Sequence, residues 1–159
     1  MTDDYKKTWT MRIVDFDRHL RPTDAHPGKF ELQSFHMGLY SDQPNSGQPR
    51  NVHMSDVSVM RESDAATPIL MRLCHSGEVL PKVVIEMITE KDGVEVSRMT
   101  FELVNASIAN ISPGGSPHGT GPGIGMQETL SLRYEKLKSS VIEGERKGGA
   151  ELVPPAPPP

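Results

Sequence analysis

"VEVSRMTFELVNASIANIS", residues 94–112, decides the fold. Its apolar residues recur at every second position, first Met99, Phe101 and Leu103, then Val104, Ala106 and Ile108. A period of two is the mark of a strand, because successive side chains point to opposite faces, whereas a helix would need i, i+3, i+4 spacing. The parity slips by one residue after Leu103, which predicts a bulge or bend inside one long strand. The "KDG" at 91–93 just before it reads as a hairpin turn, since Asp-Gly supplies the positive φ values that such turns need. Upstream of that turn, "PKVVIEMITE" sets Val83, Ile85 and Met87 on one side. Val84 and Ile88 flank Glu86 on the other, so this strand is expected to be covered on both faces. Downstream, "MQETLSLRYEKLK" at 126–138 sets Leu130, Leu132 and Tyr134 against Ser131, Arg133 and Glu135. In "KFELQSFHMGLY" at 29–40 the parity shifts again, from Phe30 and Leu32 to Phe35, Met37 and Leu39.

One segment breaks this pattern. In "SDAATPILMRLCHSGEVL" at 63–80, Thr67 is suited to cap a helix, Pro68 to its first turn and Gly77 to the left-handed position that ends it. Ile69, Leu70, Leu73 and Cys74 then form one apolar stripe, and His75 answers the C-terminal dipole. The expected fold is mainly β, a small barrel or sandwich of antiparallel strands with one short helix packed against a sheet. At 159 residues the chain has room for one core. The barrel domain is assigned to residues 1–143. The tail from 144, "GERKGGAELVPPAPPP", loses apolar periodicity and is expected to be polyproline-like or disordered.

Composition excludes several functions. Net charge is -4 with acids and bases interspersed, which gives no Lys/Arg stripe for a nucleic-acid backbone, and no stretch of apolar residues is long enough to span a bilayer. The N-terminus lacks a basic segment followed by an apolar one, so no conventional export signal is read there. The lone Cys74 forbids an intramolecular disulfide and belongs to the apolar stripe, where a thiol is inert. The glycines of "ISPGGSPHGTGPGIGMQETL" at 111–130 invite a phosphate-binding reading. However, no Gly-Lys-Ser or Gly-Lys-Thr occurs, and the run from Gly119 is G-x-G-x-G-x-G, leading into a strand rather than a helix. The loop is therefore read as a mobile connection between strands, with Pro113, Gly114, Gly115, His118, Gly121, Gly123 and Gly125 as its edge residues. His19, His26, His36, His53 and His118 show no metal-ligand spacing. No catalytic residue, metal or cofactor is assigned.

Taken in order, "HPGKFELQSFHMG", "VHMSDVSVMRESDAATPILMRLCHSGEVLPKVVIEM", "VSRMTFELVNASIANISPGG" and "QETLSLRYEKLK" resemble the haemolysin-coregulated protein family, Hcp, the tube protein of type VI secretion, over residues 9–140. The resemblance implies a β-barrel of two sheets flanked by one helix, assembled into homohexameric rings that stack into a hollow tube. It also implies partners: further copies of the chain, a contractile sheath, a VgrG-type spike and effector proteins in the lumen, with neither nucleic acid nor membrane insertion. The protein would form in the bacterial cytoplasm and be secreted without a signal peptide. Ser34 and His36 lie on one face of their strand and are the candidates for a lumen-facing polar stripe. The segment Asp42, Gln43, Pro44, Asn45, Ser46, Gly47, Gln48, Pro49, Arg50 matches the family's extended loop and is the candidate ring contact. The chain departs from the family in having Gly28-Lys29-Phe30 where a Gly-Trp-Ile-like sequence is common. Two other readings remain: the tail-tube subunit of a phage-like contractile device, and a secreted binding or effector module that no longer builds tubes.

Overall fold

The computed structural model describes residues 4–42 and 51–154. The chain forms β1 (Tyr5–Ile13), a 3-10 turn at Phe16–His19, β2 (Lys29–Glu31), β3 (Ser34–His36), β4 (Leu39–Ser41), β5 (Val52–Met54) and β6 (Val57–Glu62). There follow α1 (Thr67–Ser76), β7 (Leu80–Lys91), β8 (Val94–Gly115), β9 (Met126–Arg133), β10 (Lys136–Glu143) and β11 (Arg146–Leu152). All pairings are antiparallel, in the order β2-β1-β7-β8-β9-β6-β3, with β10 and then β11 added on the free side of β8. β4 and β5 form a separate hairpin. The fold is thus the mainly β, one-helix architecture that the alternation predicts.

The two parity slips are the places where the chain changes sheets. In β8, residues up to Val104 pair with β10 and up to Ala106 with β7, and from Ser107 the strand pairs with β9. Asn105 makes the bend at φ 51, and the buried positions step from Phe101 and Leu103 to Ala106 and Ile108. The second slip separates β2 from β3. Leu32 N–H donates to Trp9 O and Gln33 N–H to Met60 O, so one continuous stretch pairs first with β1 and then with β6 and bridges the two ends of the barrel. The hairpin at Asp92-Gly93 has φ 52 and 80, as its sequence requires.

Inside lie Met11, Phe30, Ile85, Leu103, Leu130, Leu132 and Leu137, closed on one side by Ile69, Leu70 and Leu73 of α1, which packs against β8. Each such side chain contributes roughly 1.5–3 kcal/mol on burial. Cys74 is partly buried against this core. Gly77 ends the helix at φ 66, where its N–H donates to Leu73 O and Cys74 O.

Four expectations are corrected. Thr67 is the first residue of the helix and does not cap it; Ala66 holds the N-cap position, and the Thr67 hydroxyl is drawn away to a buried carboxylate described below. Pro113, Gly114 and Gly115 belong to β8, opposite Glu128, Gln127 and Met126, so the connection is shorter than expected and runs over 116–125. The strand at 83–88 buries Val83 and Ile85 fully, but the face carrying Val84, Glu86 and Ile88 is only half-buried in the single chain. The tail assigned from residue 144 forms a strand: Arg146–Leu152 pairs in register with Leu137–Glu143 of β10, and Lys136 Nζ lies 2.8 Å from Glu151 Oε1. Residues 155–159 of the proline cluster lie outside the described residues.

Candidate functional site

The alternation that places Leu130 and Leu132 inward on β9 also places Glu128 inward, and on β6 it places Arg61 beside Val57 and Val59. The two charged residues face each other across the β6–β9 pairing. Both are buried, with side-chain exposures of 3% for Arg61 and 0% for Glu128. Arg61 Nη1 donates to Glu128 Oε2 at 2.8 Å, while Ser63 Oγ and Thr67 Oγ1 donate to Glu128 Oε1 at 2.8 and 2.5 Å. On its other side Arg61 Nη2 lies 2.5 Å from Asp64 Oδ1, and the guanidinium sits 4.9 Å from the centre of the Phe30 ring. Asp64 also accepts from Ala66 N–H at 2.8 Å, which turns the chain into α1. His26 Nδ1 accepts from Gly28 N–H, so Nε2 carries the proton that reaches Asp64 Oδ2 at 3.2 Å. The imidazole stacks on Phe30 at 4.8 Å. Both ring nitrogens of His26 are thus engaged within the cluster. The cluster ties β6, β9, the start of α1 and the 26–28 turn together.

Burial works to raise the Asp64 pKa, but the Arg61 hydrogen bond and charge, the Ala66 N–H and His26 outweigh it and hold the carboxyl below its ordinary 3.8. A depressed carboxylate pKa adds stability that is complete above the unfolded value and is lost as pH falls through the folded one. Melting temperature is therefore expected to drop as pH is lowered from about 5 to about 2, and more steeply in the native chain than in Asp64→Asn. Parallel melting curves for the two proteins would show that Asp64 is not among the groups responsible.

Beside the cluster lies a cavity of about 630 Å³ lined by Phe30, Arg61, Ser63, Asp64, Pro122 and Ile124 among others. A second, of about 590 Å³, lies between Glu62, Ser63 and the 116–126 segment. His118, Gly121, Gly123 and Gly125 are exposed on that connection, with Gly125 at φ 83. Ser34 and His36 are exposed on β3, either side of Phe35, whose ring stacks on Phe101 at 4.8 Å. Asp42 Oδ2 accepts from His53 Nε2 at 3.0 Å, and Tyr40 stacks on the same imidazole at 4.4 Å, which holds the β4–β5 hairpin together. Residues 43–50 of the expected ring-contact loop lie outside the described residues. The structure thus leaves Ser34 and His36, the hairpin and the 116–125 connection as separate surfaces. The Arg61–Glu128 pair, which the sequence reading did not single out, was signalled only by charged residues at inward parity.

β1 and β11 each leave an open edge on the sheet. β2 pairs with β1 only over Thr10–Arg12, so Tyr5–Thr8 of β1 pairs with β7 alone. β11 pairs with β10 alone. Across the sheet the order is β1, β7, β8, β10, β11, which puts these edges at opposite ends. Exposed strand edges present rows of unpaired N–H and C=O groups, a template for pairing with another chain.

Barrel, flanking helix and sheet edges together define the class: an antiparallel β-barrel with one helix packed against it. Hcp1 from Salmonella typhimurium is similar at 20% identity and a TM-score of 0.68, covering 92% of this chain and 94% of that one. A structure described as a type six secretion system protein reaches a TM-score of 0.73 at 17% identity, covering 93% and 96%. Secreted protein Hcp3 from Pseudomonas aeruginosa gives 0.61 at 16%, covering 96% and 100%. At these identities the likeness is one of fold. A family model described as "Type VI secretion system effector, Hcp" matches residues 21–140, and the chain belongs to that family. No curated protein matches the sequence. Among the described residues no helix is long and apolar enough to cross a membrane.

Proposed function

We propose that the chain is a structural subunit of the type VI secretion tube, which closes into homohexameric rings, stacks and is expelled with effector proteins in its lumen. The observation that carries this reading is the pair of open edges at opposite ends of one sheet. An edge of one copy that pairs with the other edge of the next makes a heterologous contact, and such contacts give a ring where the rotation closes. β11 contains Gly148 and Gly149 and is exposed along nearly its whole length, so a neighbouring strand meets little side-chain obstruction there. In this assembly Ser34 and His36 face the lumen, and the segment from Asp42 to Arg50 contacts the adjacent ring. The sheath, a VgrG-type spike and effectors are the partners, and the protein passes from cytoplasm to exterior through the type VI machine.

Native mass spectrometry of the purified chain tests it. A six-subunit species is expected, and rings should be visible by electron microscopy. A strictly monomeric protein at high concentration would refute the assembly and favour a module that keeps the barrel without building tubes.

A further inference from the structure

Registers across the sheet align Lys29, Arg12, Val84, Glu102, Lys138 and Glu151 in one row, and Lys82, Val104 and Lys136 in the next row on the same face. This is the face opposite the core, since Met11, Ile85 and Leu103 alternate with it and are buried. Five cations thus meet two carboxylates. Both carboxylates are already engaged, Glu102 with Lys82 at 3.0 Å and Glu151 with Lys136 at 2.8 Å. Arg12, Lys29 and Lys138 are exposed and make no ion pair among the described residues. From Lys29 on β2 to Lys138 on β10 the band crosses four strand spacings, about 19 Å. It is three positive in a chain whose net charge is -4, so the rest of the molecule has seven more negative than positive charges. Half-buried Val84 and Val104 give the band an apolar floor.

We propose that this band is a docking surface for an acidic polypeptide segment. A 19 Å line of fixed cations spans about six residues of extended chain at roughly 3.3 Å each, and the valines between them accept the apolar parts of such a segment. The charge asymmetry lets the band attract an anionic partner although the chain as a whole is acidic.

The test uses the full-length protein with fluorescent poly-L-glutamate, read by anisotropy at low salt. Binding is expected, weakening as salt rises. The triple variant Arg12→Gln, Lys29→Gln, Lys138→Gln removes only exposed, unpaired charges and should melt like the native chain while binding about tenfold more weakly. Three cations removed at the far end, by Lys7→Gln, Arg146→Gln, Lys147→Gln, should change binding much less. Equal losses in the two variants, or none in the first, would overturn the proposal. So would an oligothymidylate of matched charge that binds the band as tightly as poly-L-glutamate, since the surface would then be one for nucleic acid. Light scattering on the same samples separates the two readings: monomers that bind through the band refute the ring alone, and rings indifferent to poly-L-glutamate refute the docking surface alone.

Discussion

Glu128→Ala is expected to destabilise the fold by about 3–5 kcal/mol, the cost of breaking a buried ion pair by removing one partner. The substitution takes from Arg61 its buried acceptor, and the hydroxyls of Ser63 and Thr67 lose theirs at the same time. Arg61 Nε already has no hydrogen-bond partner among the described residues, so little capacity remains to satisfy the guanidinium. Among the described residues Asp64, still bound to Nη2, is the only carboxylate left on the guanidinium, and its side chain is 44% exposed. Chemical denaturation of the variant measures the loss. The double replacement Arg61→Met with Glu128→Leu, which removes both charges and fills the same space, is expected to recover most of it. If the single variant lost less than about 1 kcal/mol, the cluster would not be holding β6, β9 and α1 together.

Gly28→Ala should cost about 2–5 kcal/mol, from two independent causes. Gly28 sits at φ 76, a conformation that costs an L-residue roughly 1–2 kcal/mol. An added methyl would also lie 2.5 Å from Phe16 Cβ, far inside van der Waals contact, and overpacking of a core typically costs 1–3 kcal/mol. Phe16 cannot retreat freely, because its ring makes edge contacts with His26 and Phe30 at 5.8 and 5.5 Å. The Gly28 backbone joins the same structure, accepting from Ile13 N–H at 3.0 Å and donating to His26. A thermal melt checks the stability, and a variant within a degree or two of the native chain would rule out this packing. Gly93→Ala, at a position of similar φ but with open space around it, isolates the backbone contribution.

Much of the fold was legible along the chain. Alternation located β7, β8 and β9; Asp92-Gly93 marked the hairpin; Pro68 and Gly77 bracketed the helix; and both parity slips fell where strands change partners. The tail was misread because Arg146–Leu152 has almost no apolar residue and two glycines, a weak strand former by itself. β propensity reflects the surroundings more than the backbone, and β10 supplies the partner that such a segment lacks alone. Thr67 was misread for a related reason: its hydroxyl has a buried carboxylate within reach, brought there from 61 residues away.

The sequence by itself determined the kind of elements, their order and the family to which they belong, since periodicity and turn chemistry act over a few residues. Only the tertiary structure decided what those elements bring together. Arg61 meets Glu128 across two strands that the chain separates by an entire helix and hairpin. The basic band takes Lys29, Arg12, Lys82, Lys136 and Lys138 from four different strands, each contributing one or two cations that look isolated when read in order. A sheet places side by side residues that are distant along the chain, so a surface made across strands has no signature within any one of them.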